Sequence, residues 1–225
     1  MKFKIRCSQI GKIMTKPRNK SEVLSKTTIS YLEQLCKEVI YNTKYTFSSK
    51  YTEKGNIVED NSIDFVAEQL GYGMLIKNEK YYSNDYLTGT PDVITKDTVI
   101  DLKNSWDCFS FPIFSDEIPN KDYYYQLQGY MALTGLKKAK LIYVLSDTPT
   151  NLIEKEAYWH CKNNGFDELD MDIYKEFEQR MTYNDVPADA KIKVYDIERN
   201  EDVINEIYQR VELCREYIKN LIKNK

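Results

Sequence analysis

Apolar residues recur at intervals of three and four residues in three stretches of the chain, and this spacing places them on one face of an α-helix. The three stretches are residues 29–39, 54–70 and 203–222. Gly71 directly follows the second stretch, at a position where glycine commonly ends a helix. A short helix is also predicted at residues 8–14, because Ser8 is of a type that caps helix N-termini.

Continuous apolar runs and β-branched pairs predict the strands. Val93-Ile94 and Val99-Ile100 flank the polar run Thr95–Thr98, a pattern typical of a hairpin. Two further strands are predicted at KLIYVLS (140–146) and KIKVYDI (191–197). Between the hairpin and the first of these strands, DYYYQLQGYMALTG at 122–135 predicts another helix.

Residues 150–189 separate the last two predicted strands and show no single clear periodicity, so we predict a helical or irregular insertion there. The chain has 225 residues, of which 42% are hydrophobic, enough for a sizeable core. The order of the elements predicts an α/β fold with a mixed central β-sheet flanked by helices. We expect one domain that spans residues 1–225.

The predicted hairpin crowds three charged residues together. A turn centred on Lys96-Asp97 sets Asp92 opposite Asp101. Directly opposed strand residues have Cβ atoms roughly 5 Å apart, where like charges are unfavourable unless a cation lies between them. Strand side chains alternate, so Lys103 projects from the same face as Asp101. The pattern predicts a cation-sized gap between two carboxylates, although a solvated hairpin with scattered charges is the plainer interpretation.

The composition restricts the kind of metal site that the chain can hold. Its five cysteines are far apart and never form a CxxC pair, which argues against a disulfide framework, a zinc site and an iron–sulfur cluster. A single histidine excludes a polyhistidine site. Any metal must then be held by oxygen, which favours Mg²⁺ or Mn²⁺.

The charge is unevenly distributed along the chain. The net charge is −3, yet residues 1–54 contain twelve Lys or Arg and four Asp or Glu. Such asymmetry indicates a polyanion-facing surface, with a solvated lysine-rich helix as the plainer alternative. The N-terminus lacks an apolar signal region, and no stretch reaches the ~20 apolar residues of a membrane span, so we expect a cytoplasmic protein.

Four motifs in this order resemble the PD-(D/E)XK nuclease superfamily: helical Glu59, then Pro91-Asp92, then Asp101-Leu102-Lys103, then Gln126-Leu127-Gln128-Gly129-Tyr130. The likeness is greatest with the lambda exonuclease, or YqaJ-like, branch of viral recombinases. It extends to IRCSQIGKIMTKPR at 5–18, which is similar to the opening helix and Lys-Pro-Arg loop of that family. VYDIERNEDVINEI at 194–207 is similar to its last strand and helix. The resemblance implies a restriction-endonuclease-like core.

The resemblance and the side-chain chemistry together suggest roles for these residues. We expect Asp92, Asp101 and the Leu102 carbonyl to hold one Mg²⁺, for which Mn²⁺ can substitute, and Glu59 to reach a second ion or a metal-bound water. Lys103 would orient and help deprotonate the attacking water, or offset the developing charge. Burial would lower its pKa and the carboxylates would raise it, and the sequence leaves the outcome open. A solvent-facing helix position is the alternative for Glu59.

A terminal-phosphate pocket is implied by the resemblance alone. The family holds a 5′ phosphate with a serine, a small hydroxyl residue and a glutamine, which match Ser8, Thr90 and Gln126. Met1 stands at the position of the family's pocket arginine, which weakens the expectation of 5′-end specificity. Candidate substitutes by a different route are Arg6, Lys16 and Arg18. The plainer interpretations are a helix cap for Ser8 and a buried structural amide for Gln126.

Three functions remain open at this stage. The first is an exonuclease acting at linear duplex DNA ends, with 5′-to-3′ polarity, for recombination or end processing. The second is an endonuclease of the same superfamily, and the third is a catalytically silent DNA-binding scaffold. The resemblance also implies a ring-shaped homotrimer and a single-strand annealing protein as partner.

Overall fold

The computed structural model describes residues 2–19, 21–46 and 48–223, so Met1 lies outside the described residues. The helices are α1 (Ile10–Met14), α2 (Lys26–Ile40), α3 (Lys50–Gln69), α4 (Lys121–Thr134), α5 (Thr150–Asn163), α6 (Met171–Met181) and α7 (Glu201–Lys223). The strands are β1 (Ile5–Arg6), β2 (Tyr82–Ser83), β3 (Leu87–Gly89), β4 (Val93–Ile94), β5 (Thr98–Asn104), β6 (Lys138–Val144) and β7 (Ile192–Glu198). Within these ranges, every helix is too short or too polar to cross a bilayer.

The strands form two mixed sheets. The larger sheet has the order β4-β5-β6-β7, with β5 and β6 parallel and the two outer pairs antiparallel. The smaller sheet has the order β1-β3-β2. The hairpin register is the predicted one, since Val93 pairs with Ile100 and Ile94 with Val99. The prediction of an α/β fold with mixed sheets flanked by helices is confirmed.

The larger sheet separates two apolar cores because its side chains alternate between faces. Ile100 and Leu102 of β5 belong to the core beneath α3. Val99 belongs to the other core, which α1, α4 and α7 cover. The same alternation puts Asp101 and Lys103 on the α4 side of the sheet.

Three helix ends differ from the sequence prediction. α3 begins at Lys50, one turn earlier than predicted, because the Ser49 hydroxyl accepts a hydrogen bond in its first turn. Ser8 lies in a 3₁₀ turn, Cys7–Gln9, and its side chain caps neither this turn nor α1. Val39 is 77% exposed, so the last turn of α2 projects from the core instead of packing on it.

Residues 150–189 contain α5 and α6 and lie beside the start of α3. Trp106, in the segment after β5, shares a small apolar cluster with Leu152 of α5. Lys50 of α3 forms an ion pair with Glu156 of α5 at 2.6 Å. The region predicted to be helical or irregular is therefore a helical pair that docks on α3 and the end of β5.

Candidate active site

Asp92 and Asp101 converge where β4 begins. Because Val93 pairs with Ile100, the preceding residue Asp92 comes opposite Asp101. The Leu102 backbone N–H donates a hydrogen bond to Asp92 Oδ2 at 2.9 Å. A strand residue directs its N–H and C=O to the same side, so the Leu102 carbonyl also faces this open edge.

The two carboxylate oxygens of Asp101 have different surroundings in a fully buried position. Oδ1 accepts a hydrogen bond from Gln126 Nε2 at 2.8 Å. Oδ2 forms an ion pair with Lys103 Nζ at 2.5 Å. A buried carboxylate is unfavourable unless it is paired, and the Lys103 ammonium supplies that pairing here.

Lys103 is held as an ammonium group. Burial lowers its pKa, but the charges of Asp101 and Asp92 outweigh burial, so the net shift is upward. The ammonium also lies 4.8 Å from the ring centre of Tyr123, an attractive cation–π arrangement. The carboxylates therefore decide the question that the sequence left open. The contact between Lys103 and Tyr123 could not be predicted from the sequence, because it depends on how α4 docks.

The Asp92 carboxylate resists ionisation. Burial raises the pKa of Asp92 to about 7 and the charge of Asp101 adds to the rise, while Lys103 and the Leu102 N–H oppose it. Two carboxylates this close cannot both ionise without a cost. A divalent cation between them would remove that cost.

Gln126 and Tyr130 form a hydrogen-bond chain behind Asp101. Gln126 Nε2 also donates to the Tyr130 hydroxyl at 3.2 Å, and that hydroxyl donates to the Thr90 carbonyl at 3.2 Å. The chain thus ties Asp101 to the segment just before Asp92. The sequence predicted the helix that carries Gln126 and Tyr130 but not this chain of hydrogen bonds. The Gln126 amide, expected at a terminal phosphate, donates to Asp101.

Glu59 lies outside the aspartate cluster. Its carboxylate pairs with Lys77 Nζ at 2.9 Å, and Lys77 also pairs with Asp60 at 2.9 Å. No group of three His, Cys, Asp or Glu side chains in the described ranges is placed to hold a metal. The Glu59 charge nevertheless contributes to the raised pKa of Asp92, so this helix position is electrostatically coupled to the site.

The three chain segments that carry Ser8, Thr90 and Gln126, the residues expected at a terminal phosphate, pack against one another. Close approach depends on two glycines: a Cβ on Gly89 would lie 3.3 Å from Cys7 Sγ, and one on Gly129 would lie 2.9 Å from the same atom. Burial raises the pKa of the Cys7 thiol, and the nearby charge of Asp101 raises it further. Ser8 and Thr90 are exposed beside this junction.

The three basic candidates are all exposed. Arg6 lies in β1, which pairs with β3 just before Thr90. Lys16 and Arg18 lie farther along, in the loop between α1 and α2. The structure therefore separates one arginine beside the smaller sheet from a basic loop on the helical side.

The residues at the hairpin fit a hard divalent cation. Asp92 and Asp101 supply carboxylate oxygens from opposed positions of the hairpin, and the Leu102 carbonyl faces the same edge. Oxygen donors of this kind are those that Mg²⁺ and Mn²⁺ prefer.

The fold, the opposed aspartates, the neighbouring lysine and the α4 glutamine resemble those of a PD-(D/E)XK nuclease. Over its whole length the chain is similar to a phage-related exonuclease from Haemophilus somnus 129PT, with a TM-score of 0.82, 28% identity, and coverage of 100% of this chain and 97% of that one. It shares its fold with the alkaline exonuclease LHK-Exo from Laribacter hongkongensis, at a TM-score of 0.66, 16% identity, and coverage of 98% and 90%. LHK-Exo in complex with dAMP gives a TM-score of 0.66 at 17% identity. No family model and no curated protein sequence matches the chain. The predicted resemblance to the lambda exonuclease-like branch is confirmed.

Proposed function

We propose that the chain is a metal-dependent DNA exonuclease that hydrolyses linear duplex DNA from its ends, in the 5′-to-3′ direction, for recombination or end processing. One observation carries the proposal: Asp92 and Asp101 lie opposite each other across the hairpin, with Lys103 Nζ 2.5 Å from the buried Asp101 Oδ2. The likeness to a phage-related exonuclease supports it.

The reaction adds water across a P–O3′ bond, so that phosphorus gains the hydroxyl and the departing 3′ oxygen gains the proton. A bound Mg²⁺ or Mn²⁺ would stabilise charge on the phosphate oxygens and lower the pKa of water. We assign Asp92, Asp101 and the Leu102 carbonyl as its oxygen donors. Lys103, as an ammonium group, orients the attacking water and offsets negative charge. Glu59, whose Oε2 pairs with Lys77, would hold a second ion or a metal-bound water.

We propose that hydroxyl and basic side chains near the aspartates recognise the DNA end. Ser8 and Thr90 offer exposed hydroxyls beside the cleavage centre, and hydroxyls can donate to phosphate oxygens. Arg6, together with the basic loop after α1, would contact the rest of the duplex. A homotrimer and a single-strand annealing protein are proposed partners on the resemblance alone.

The test compares linear duplex DNA with covalently closed circles in the presence of Mg²⁺. We expect loss of the linear DNA only, and no reaction once EDTA removes the ion. Cleavage of circles would favour an endonuclease, and binding without cleavage would favour a silent scaffold.

Lys103→Ala is the decisive variant. It should abolish hydrolysis with little loss of DNA affinity, and Asp92→Asn should do the same. The matched control is Lys140→Ala, which removes another strand lysine that pairs with an aspartate, Asp196 at 2.5 Å, on the opposite face of the sheet. Circular dichroism checks that each variant is folded. Hydrolysis that survives Lys103→Ala in a folded protein would refute this assignment.

A further inference from the structure

Arg210 of α7 closes the loop that joins α1 to α2. Its Nε donates to the Ile13 carbonyl at 2.8 Å, its Nη1 to the Val23 carbonyl at 3.1 Å and its Nη2 to the Thr15 carbonyl at 3.0 Å. One guanidinium group therefore joins the two ends of the loop between α1 and α2. We name the described residues of this loop, 16–19, 21 and 22, the clamped loop.

A cluster of hydroxyl groups also joins the residues on either side of the clamped loop. Thr15 Oγ1 and Ser25 Oγ share a hydrogen bond at 2.5 Å, and Ser25 Oγ and Thr28 Oγ1 share one at 3.0 Å. Thr28 Oγ1 lies 3.0 Å from the Lys12 carbonyl, to which it can donate. Because Ser25 and Thr28 are buried, this anchor is part of the core.

The clamped loop presents positive charge to solvent. Between Lys12 and Lys26 the chain contains five Lys or Arg residues and a single Glu. Lys16 and Arg18 are exposed. In the described part of the chain, neither side chain takes part in an ion pair or hydrogen bond. Cationic groups that the protein leaves unneutralised are available to an anionic partner.

We propose that Arg210 is a positioning residue for DNA binding: it holds the clamped loop in the shape in which Lys16 and Arg18 contact the phosphate backbone of duplex DNA. The inference rests on the proposed function. A loop that is ordered before binding loses less conformational freedom on binding. The planar guanidinium suits this task, since its donors are spread over three nitrogens in a fixed plane, whereas an ammonium group donates from a single nitrogen.

Arg210→Lys separates geometry from charge, because it keeps the positive charge and loses the three-point contact. We expect duplex affinity, measured by fluorescence anisotropy, to fall about tenfold, and KM to rise with little change in kcat. The slope of log K against log salt should fall by about 2, because two phosphate contacts at ~0.9 each are lost. Trypsin should also cut faster after Arg18.

Arg215→Lys is the matched control on the same helix. The Arg215 guanidinium donates to the carbonyls of Phe3 and Asp85, which lie outside the clamped loop. The salt slope of this variant should equal that of the wild type. An equal loss of slope in both variants would mean that α7 packing, and not the clamped loop, carries the effect.

The double variant Lys16→Gln, Arg18→Gln tests the contact itself at exposed positions. It should weaken binding as much as Arg210→Lys, and adding it to Arg210→Lys should weaken binding little further. If folded Arg210→Lys binds DNA with the affinity and salt slope of the wild type, the inference is wrong. If Arg210→Lys does not fold, the same result in the double variant would overturn the inference. The wild type could bind DNA with the expected salt slope, and lose affinity in the two variants as expected, but never degrade DNA. The proposed nuclease function would then be wrong, and the role of Arg210 in DNA binding would be supported.

Discussion

At the scale of single residues, Asp101 depends on neighbours that hold its two oxygens in different ways. Gln126 donates to Oδ1 and Lys103 pairs with Oδ2. Gln126 is itself held by the Tyr130 hydroxyl. The orientation of the carboxylate is therefore set by α4 as much as by the hairpin.

Gln126→Leu should weaken both stability and hydrolysis. The free energy of unfolding should fall by about 1–3 kcal/mol, because Asp101 Oδ1 loses its partner while it stays buried. Hydrolysis should fall about 10–100-fold, as for other residues that orient metal ligands. The measurements are urea unfolding and initial rates on 5′-phosphorylated and 5′-hydroxyl duplexes. A loss confined to 5′-phosphorylated DNA, with stability unchanged, would instead assign Gln126 to a phosphate pocket.

Lys54 is a buried lysine in α3 that donates to the carbonyls of Trp106 at 2.9 Å and Ser146 at 2.7 Å. Burial lowers its pKa from 10.5 to about 8, although Asp107 and Asp147 oppose the shift. Between these two pKa values the unfolded chain binds the proton that the folded protein has lost. The contribution of Lys54 to stability therefore rises with pH across this window.

Comparison with Lys54→Met isolates this effect from the titration of other groups. The difference in unfolding free energy, wild type minus variant, should shift by about 2 kcal/mol in favour of the wild type between pH 7.5 and pH 9.5. Urea unfolding at the two pH values measures it. A difference that stays constant would show that the Lys54 pKa is not lowered.

Some site residues could be predicted from sequence because their positions follow from local geometry. Asp92, Asp101 and Lys103 lie within one hairpin, whose turn and alternation determine where they point. The roles of Tyr123 and Lys54 could not be predicted, because both depend on how distant helices dock on the sheet. Burial of a lysine against carbonyls leaves no pattern in its own segment.

At the scale of elements, the hairpin could be predicted from local sequence, whereas the helix ends could not. The register of β4 and β5 follows from two β-branched pairs around a four-residue turn. The exposed last turn of α2 and the 3₁₀ turn before α1 do not follow from periodicity, since tertiary packing decides where a helix stops being covered. Gly129 shows how tight that packing is between α1 and α4.

Gly129→Ala should lower the free energy of unfolding by about 1–3 kcal/mol, a typical cost of overpacking. Its Cβ would lie 2.5 Å from Ile10 Cδ1 and 2.9 Å from Cys7 Sγ. The matched control is Gly55→Ala in α3, where a Cβ meets nothing within 4 Å. This change should stabilise the protein by about 0.5–1 kcal/mol, because alanine favours the helix. Equal effects in urea unfolding would contradict the packing of α1 on α4.

At the scale of the whole molecule, the basic N-terminal segment and the aspartate pair lie on the same side of the larger sheet. Asp101 and Lys103 face α4, and the basic N-terminal segment enters the same core through Ile10 and Ile13 of α1. The sequence indicated the basic segment from its charge alone. Its connection to the site could be seen only once α1 was packed on α4.

The central claim is that Asp92 and Asp101 hold one divalent cation between them. The most direct test is anomalous diffraction from a crystal soaked in Mn²⁺. We expect an anomalous peak at about 2.1–2.2 Å from a carboxylate oxygen of each aspartate and from the Leu102 carbonyl oxygen. A soaked crystal without a peak at this edge, or with a peak that neither aspartate touches, would contradict it.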